Sequence, residues 1–276
     1  MVWEGGPEDR AGSFMTNTYS EWVMENPEVD TKAPAPMTGS EFARERLGFE
    51  ADEKQRAVLD STAKKGILNC CRQWGKSTVA AAKAVHRAYS EVHSLVIVAS
   101  PSERQSREFL TKCSLFVEKL GINPRGDGNN AVSLLLPNGS RIVGLPGTEA
   151  TVRGFSGASL ILIDEASRVS KAMYHALRPM RAASNGDLWL MSTPWGSRGF
   201  FWEAWKDGGA GWDRISATAL ECGRILPQYL ADEREEVGEL WFAQEYLCQF
   251  TDSGSQYYSR DSVEQAMLDD DGLAVA

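Results

Sequence analysis

The feature that most constrains this chain is residues 67–78, an apolar run that ends in Gly75-Lys76-Ser77. An alanine-rich stretch, predicted as a helix from Val79 to Tyr89, follows at once. A tight loop in this position aims backbone N–H groups at phosphate oxygens, and the next helix adds the positive end of its dipole. The segment therefore predicts a phosphate-binding loop between a buried strand and a helix, as found in α/β folds.

The order of side chains in this loop suits a nucleotide and a magnesium ion. Lys76 is placed to reach the β- and γ-phosphates, and Ser77 to ligate Mg²⁺. The usual pattern has glycine where this chain has Cys70, so the loop is irregular. The residues expected around the nucleotide are Cys71, Arg72, Gln73, Trp74, Gly75, Lys76, Ser77 and Thr78.

A second motif, Leu160 to Ile163 followed by Asp164 and Glu165, is typical of a buried strand that carries two carboxylates at its end. Asp164 is expected to hold the Mg²⁺, and Glu165 to polarise the attacking water. Each motif alone is common. Together, each after an apolar strand, they predict an enzyme that hydrolyses a nucleotide.

Composition places the chain among globular proteins and excludes few partners. With 276 residues and 42% hydrophobic content, it has enough apolar surface for one large domain or two small ones. The net charge is −9, yet residues 51–250 carry +2, because the acidic side chains are concentrated in residues 1–50 and 251–276. A nucleic-acid partner is therefore compatible with this charge distribution.

The cysteine and histidine content argues against a disulfide-stabilised protein and against a zinc protein. Five scattered cysteines and three histidines suit neither a disulfide framework nor a zinc site, so free thiols are expected. No apolar run of about 18 residues and no signal-peptide pattern occur, so we expect no membrane association, no secretion and a cytoplasmic protein.

Apolar strands alternate with helical patterns from Gly66 onward, which predicts a mostly parallel sheet with helices on both faces. An Asn-Gly turn within residues 133–143 predicts an antiparallel hairpin at its edge. The further predicted elements are helices Ser40–Leu47, Glu103–Leu120, Lys171–Ala182, Leu226–Glu236 and Glu239–Phe250, and strands Leu95–Ser100, Leu188–Ser192 and Arg214–Ala217. The expected organisation is an N-terminal arm (1–45), a core (46–210), a small helical lid (211–255) and an acidic tail or linker (256–276).

Three motifs in this order, Arg72-Gln73-x-Gly75-Lys76-Ser77, Asp164-Glu165 and Ser192-Thr193-Pro194, resemble the ATPase domain of the large terminase subunit of tailed double-stranded DNA bacteriophages. The resemblance covers roughly residues 45–255. It implies a P-loop NTPase of the ASCE or RecA-like type, with ATP and Mg²⁺ as cofactors and hydrolysis coupled to DNA translocation into a procapsid. It also implies that Ser192, Thr193 and Pro194 couple hydrolysis to DNA movement, although a strand end often carries such residues for local reasons.

The resemblance extends to single residues outside the loop. Phe49 and Gln55 match an adenine-recognition segment, although a helix start with a core phenylalanine explains them equally. Arg153 matches the position of a catalytic arginine, and a solvated loop arginine is its alternative. Arg72 is a second candidate, as a γ-phosphate sensor. Whether either arginine serves its own subunit or a neighbour's stays open.

A basic stripe is expected on the helix after Glu165, which makes it a candidate DNA contact along phosphates. An ordinary solvated helix face is the alternative. Lys171, His175 and Arg178 fall at i, i+4 and i+7 on this helix, and Arg168 and Arg181 lie close by in the sequence.

The resemblance implies several partners: double-stranded DNA, a portal protein on a procapsid and a small terminase subunit. The chain is expected to form a homo-oligomeric ring when docked at the portal vertex, and to be monomeric in isolation. The nuclease domain of the family is not expected in this chain. Two other functions remain open: a helicase-like, DNA-stimulated ATPase, and an ATP-dependent assembly module without useful turnover.

Overall fold

The computed structural model describes residues 37–146 and 154–251, and seven strands of this part form one sheet. In chain order they are β1 (Lys65–Cys70), β2 (Leu95–Ser100), β3 (Ser133–Leu135), β4 (Arg141–Pro146), β5 (Leu160–Asp164), β6 (Asp187–Ser192) and β7 (Asp213–Ala217). Their order across the sheet is β3-β4-β2-β5-β6-β1-β7. All pairs are parallel except β3 with β4.

Helices cover both faces of this sheet. They are α1 (Gly39–Glu45), α2 (Glu53–Asp60), α3 (Lys76–Ser90), α4 (Glu103–Lys119), α5 (Lys171–Leu177), α6 (Gly199–Asp207), α7 (Pro227–Val237) and α8 (Glu239–Glu245). One core lies under α1 to α4, α7 and α8, and a second core lies under α5 and α6. The predicted mostly parallel sheet with two helical layers is confirmed.

Alternation along the central strands explains why both faces are apolar. In β2, Val96 and Val98 face the first core, whereas Ile97 faces the second. A strand buried on both sides has no polar face, so it reads as a continuous apolar run in the sequence. The predicted hairpin is also present, with Leu134 opposite Ile142.

Some predicted elements differ from the structure at their ends. The helix predicted over Lys171–Ala182 ends at Leu177 and continues as a 3₁₀ turn, Arg178–Arg181, in which Pro179 lacks the N–H that an α-helix needs. The helix predicted to reach Phe250 ends at Glu245, and the chain then adopts a positive φ of 59° at Cys248. Helices α2 and α6 were not predicted.

The N-terminal boundary also differs from the expectation. Helix α1 packs Phe42 and Ala43 into the first core, so residues 39–45 lie with the core rather than in an arm. All five cysteines are free and buried, in agreement with the expected free thiols. No helix in residues 37–146 or 154–251 is long and apolar enough to cross a membrane.

The contact between Gly66 on β1 and Trp189 on β6 gives a test of this packing. A Cβ at Gly66 would lie 2.4 Å from the Trp189 ring. We expect Gly66→Ala to lower the free energy of unfolding by about 1–3 kcal/mol, because the ring has no room to move in a packed core. Urea unfolding measures this change. Gly223→Ala, whose Cβ meets nothing within 4 Å, is the matched control. Equal stability of the two variants would contradict the packing described.

Candidate functional site

The strand order brings three predicted motifs to one edge of the sheet. Strand β6 lies between β1 and β5, with Asn69 opposite Ser192 and Asp164 opposite Met191. Because these strands are parallel, the segments that follow them all leave from the carboxyl edge. The loop after β1, the carboxylates after β5 and the segment after β6 therefore meet there.

The loop after β1 has the backbone geometry of an anion site. Gln73 and Gly75 both have positive φ values, 63° and 98°, and α3 begins at the next residue, Lys76. In the described part of the chain, the backbone N–H groups of Gly75, Lys76 and Ser77 have no hydrogen-bond acceptor. Free N–H groups at the start of a long helix favour an anion such as phosphate.

The first residues of the loop differ from the expectation of direct phosphate contact. The Cys71 amide donates to the Ala217 carbonyl at 2.9 Å, and the Arg72 amide donates to the Glu245 carbonyl at 3.3 Å. Burial raises the pKa of the Cys71 thiol to about 11, which keeps it protonated at neutral pH. These two residues attach the loop to β7 and the lid, and leave phosphate contact to the N–H groups further on.

Gln55 hydrogen-bonds to the loop, whereas the resemblance predicts a contact with adenine. Its side chain is buried, with Nε2 donating to the Trp74 carbonyl at 3.0 Å and Oε1 accepting from the Asp52 amide at 3.1 Å. Arg224 also donates to the Trp74 carbonyl. Both ends of the Gln55 amide are thus bonded within the protein, so Gln55 fixes the loop, and its contact with adenine stays a prediction. The Trp74 indole is buried in the core.

The side chain of Lys76 points back into the loop. Its side chain is buried, and Nζ donates to the carbonyl oxygens of Cys70 and Cys71 at 2.8 and 2.9 Å. An ammonium group has three N–H donors, so these bonds leave one for a further acceptor. The positive charge thus lies beside the free N–H groups.

A carboxylate and a hydroxyl face each other across the site. Ser77 Oγ donates to Asp164 Oδ2 at 3.1 Å. Burial raises the pKa of Asp164 to about 6, the neighbouring charge of Glu165 acts in the same direction, and Lys76 opposes both effects. The two oxygens fit Mg²⁺, which prefers hard oxygen ligands and takes few from protein. Among residues 37–146 and 154–251, no cluster of three Asp, Glu, His or Cys side chains is suited to a metal.

Glu165 follows the last residue of strand β5 and lies on a turn. Its backbone has φ 50°, its N–H donates to Asp164 Oδ1 at 3.1 Å, and Oε2 accepts from Ser192 Oγ at 3.4 Å. Ser192 also bonds Ser167 Oγ at 2.7 Å. Left-handed backbone at a non-glycine residue is strained, and such residues cluster at functional sites. Thr193 and Pro194, which follow Ser192, are both buried.

Arg72 does not extend freely from the loop. Its Nε donates to Glu245 Oε2 at 2.6 Å, at the end of α8. Glu245 is only 4% exposed, and its other oxygen lies 3.7 Å from Arg168 Nη2. Arg168 in turn stacks on the Trp195 ring, with its guanidinium carbon 3.9 Å from the ring centroid. A buried lid carboxylate thus joins the loop, the turn after β5 and the segment after β6.

Phe49 lies near the first turn of α3 without being part of it. The ring is half-buried and its centroid is 6.0 Å from that of Phe116 on α4. Thr78 and Phe116 both line an adjoining pocket of about 550 Å³. This pocket provides an apolar surface beside the loop.

The five basic residues predicted as a stripe separate into two groups. Arg168 turns toward Glu245, and Lys171 pairs with Glu203 at 3.3 Å. The remaining three, His175, Arg178 and Arg181, line one pocket. The five residues therefore do not form one continuous surface, because Arg168 and Lys171 have partners within the protein. Arg153 lies outside the described residues.

Sequence reasoning missed Glu245, Arg224 and Trp195. Each acts through a contact with a residue more than 20 positions away, so no local pattern marks it. One signal was present for α2: Asp52 followed by Gln55 forms a capping box, with the Asp52 side chain accepting from the Gln55 amide at 2.8 Å. This pattern predicts the helix that positions Gln55.

A parallel sheet with a Gly-Lys-Ser loop after β1 and a carboxylate after β5 defines a P-loop fold of the RecA-like type. The family described as "Terminase large subunit, T4likevirus-type, N-terminal" matches residues 67–265. The chain belongs to this family.

Individual relatives agree with that assignment. The large terminase subunit of Thermus phage G20c is 24% identical over 250 residues, which cover 78% of this chain and 52% of that protein. This chain thus spans about half the length of the curated relatives it matches. The ATPase domain of the Thermus phage P74-26 large terminase superposes with a TM-score of 0.70 at 21% identity, covering 78% of this chain and all of that domain.

A third relative was solved with nucleotides. The large terminase of another thermophilic bacteriophage, in complex with ADP, superposes with a TM-score of 0.63 at 13% identity, covering 73% of this chain and 54% of that protein. The same protein was also solved in complex with ATP-gamma-S. At these identities, the superpositions establish the fold.

The raised pKa of Asp164 predicts an unusual pH dependence of stability. Between its ordinary value of 3.8 and about 6, the folded protein binds more protons than the unfolded chain, so the Asp164 contribution falls as pH rises through about 6. We expect Asp164→Asn to stabilise the protein at pH 7.5 by about 2 kcal/mol, and by less toward pH 4.

Urea unfolding at both pH values measures this effect. The contrasting variant is Asp187→Asn, which removes a carboxylate that pairs with Lys64 and Arg87 and is expected to destabilise. Destabilisation by Asp164→Asn at pH 7.5 would show that the Asp164 charge is favourable in the fold.

Proposed function

We propose that this domain binds ATP with Mg²⁺ and hydrolyses it to translocate double-stranded DNA into a viral procapsid. The observation that carries the proposal is the meeting of Lys76, Ser77 and Asp164 beside three free N–H groups at the start of α3. The complexes of the thermophilic bacteriophage terminase with ADP and ATP-gamma-S support nucleotide binding in the same fold.

The proposed phosphate contacts follow from the loop geometry. The N–H groups of Gly75, Lys76 and Ser77 donate to phosphate oxygens, and Lys76 adds its ammonium charge. Ser77 and Asp164 would hold Mg²⁺, which supplies positive charge to the phosphate oxygens when bound. The base lies by Phe49 and the pocket that Thr78 lines. Gln73 is exposed and Trp74 contributes only backbone.

Glu165 is the proposed general base. Its strained turn and the Ser192 hydroxyl fix its carboxylate next to Asp164, where it accepts a proton from the attacking water. The same hydroxyl links Glu165 to the segment Ser192-Thr193-Pro194, which is proposed to pass the state of the site to the DNA-contacting surface. Arg153 is proposed as the arginine that stabilises charge developing on the γ-phosphate.

Arg72 is proposed to exchange partners when ATP binds. It contacts Glu245 through a charged hydrogen bond, and its side chain is 60% exposed. A γ-phosphate at the Lys76 position presents a second anion to the same guanidinium. If Arg72 leaves Glu245, Arg168 is the remaining cation near that carboxylate. The contact between the loop and the lid then depends on whether ATP is bound.

We propose the following division of the described chain. The seven-stranded sheet with helices α1 to α6 forms the ATPase core, and helices α7 and α8 form the lid that supplies Glu245. The proposed partners are duplex DNA, a portal protein on the procapsid, a small terminase subunit and further copies of this chain in a ring. The proposed location in the host is the cytoplasm and, transiently, the portal vertex.

Two other functions use the same residues. A helicase-like ATPase shares the Lys76, Asp164 and Glu165 arrangement, but the family match favours a terminase. An assembly module would bind ATP without turnover. The placement of Glu165 within reach of Ser192 favours turnover, because a binding module needs no fixed carboxylate at this point.

The role of Glu165 is tested by separating hydrolysis from binding. We expect Glu165→Gln to lower steady-state ATP turnover by about 10²–10⁴-fold while leaving the Kd for ATP-gamma-S within about twofold, since the carboxylate acts as a base and not as a ligand. Exposed Glu108→Gln on α4 is the matched control. Lys76→Ala is expected to weaken binding itself. Unchanged turnover in Glu165→Gln would remove its assignment as the base.

The exchange of Arg72 predicts opposite effects of two substitutions. Glu245→Gln removes the competing carboxylate, so ATP-gamma-S should bind several-fold more tightly; Arg72→Ala removes a phosphate contact, so binding should weaken by about tenfold. Isothermal titration calorimetry measures both. If Glu245→Gln weakens binding as much as Arg72→Ala, the intact ion pair is itself required and no exchange takes place.

A further inference from the structure

A second basic site lies at the opposite edge of the sheet from the P-loop. The pocket has a volume of about 400 Å³ and is lined by His175, Arg178, Pro179, Arg181, Ala182 and Asn185. Its loop leads into Asp187, the first residue of β6, whereas Ser192 ends that strand at the P-loop edge. A six-residue strand spans about 17 Å, so a nucleotide on the P-loop does not reach this pocket.

The backbone of this pocket is held rigidly. The Ala158 amide donates to the Met180 carbonyl at 2.9 Å, and the Gly186 amide donates to the Arg181 carbonyl at 3.1 Å. A Cβ at Gly186 would lie 2.0 Å from the Ala158 carbonyl oxygen, so only glycine fits this close approach. The backbone of the turn therefore has a fixed arrangement before any ligand binds.

One arginine of the pocket is fixed and one is free. Arg181 Nη1 donates to the carbonyl oxygens of Gly186 and Lys64 at 2.7 and 3.2 Å. Arg178 is exposed, lies 5.6 Å from the Tyr174 ring centroid, and forms no ion pair within the described ranges. Exposed His175 adds a third basic side chain.

The pocket lining carries excess positive charge. The pocket lining, which lies wholly in the described ranges, contains no carboxylate. Asp187, the first residue of β6, is buried and already pairs with both Lys64 and Arg87. Arg87 also pairs with Glu91 at 3.1 Å, so these two cations are balanced by two carboxylates and leave none for the basic groups of the pocket. This local charge is opposite in sign to the net charge of −9 of the whole chain.

We propose that the pocket formed by His175, Arg178 and Arg181 binds backbone phosphates of double-stranded DNA, independently of base sequence. Guanidinium forks match phosphate oxygens, and the lining residues include no aromatic ring other than the His175 imidazole on which a base would stack. The inference rests on the proposed function, for which it specifies the DNA contact. It assigns that contact to three of the five predicted basic residues and excludes Arg168 and Lys171, which are paired within the protein.

The test compares duplex binding by the full chain with substitution of one exposed arginine. Fluorescence anisotropy with a short labelled duplex of arbitrary sequence is measured at several salt concentrations. Arg178→Ala is expected to weaken binding by about tenfold and to lower the slope of log K against log salt by about 1. Arg178→Lys is expected to retain most of the slope. The matched control is Arg104→Ala, an exposed arginine on α4 at the carboxyl edge of the sheet.

The outcomes separate this inference from the proposed function, because ATP-gamma-S binding is measured on the same variants. Loss of duplex affinity in Arg178→Ala, with ATP-gamma-S binding and unfolding midpoint unchanged, supports the pocket, even if hydrolysis is not stimulated. No duplex binding by the wild-type chain overturns the pocket. Equal effects of Arg178→Ala and Arg104→Ala also overturn it, and neither result affects the assignment of ATP binding.

Discussion

The insertion of β6 between β1 and β5 is the constraint on which the site depends. It sets the P-loop one strand away from the segment Ser192-Thr193-Pro194 and two strands away from Asp164. Neighbouring strands lie about 4.8 Å apart, so this order brings the loop and the carboxylates close enough for Ser77 Oγ to donate to Asp164 Oδ2 at 3.1 Å. It also places Ser192 between the loop and the carboxylates, within hydrogen-bonding reach of Glu165. The apolar residues in the middle of β1, β5 and β6, which are buried on both faces of the sheet, stabilise this order.

Charged groups in this site are costly for the fold and useful for the chemistry. Burial raises the pKa of Asp164 because its ionised form loses hydration, and Lys76 only partly offsets this loss. Glu245 is buried beside two arginines on different segments, which makes it the lid group most sensitive to a change at the P-loop. A phosphate group that attracts Lys76 and Arg72 would alter both carboxylates at once. We propose that the electrostatics of the site connect nucleotide binding to the lid.

The sequence was sufficient for the parts of the fold that rest on local patterns. Apolar runs predicted β2 and β6, the Asn-Gly turn predicted the hairpin, and the loop and carboxylate motifs predicted which strand ends would meet. It was insufficient where a side chain acts at long range. Gln55 looked like a ligand for a base, yet its partner is the Trp74 carbonyl, 19 residues away. Arg168 was predicted as one of five DNA contacts, yet its guanidinium lies against Glu245 and the Trp195 ring. Pattern and spacing do not carry this information, because it depends on which surfaces meet after folding.

The most direct measurement is a crystal structure of this chain with ATP-gamma-S and Mg²⁺. We expect the terminal phosphate to lie against the N–H groups of Gly75, Lys76 and Ser77, with Lys76 Nζ in contact with a phosphate oxygen and Arg72 released from Glu245. We also expect Ser77 and Asp164 to lie at the metal ion. A nucleotide bound elsewhere, or bound with the Arg72–Glu245 contact intact and no phosphate at α3, would contradict the proposed site.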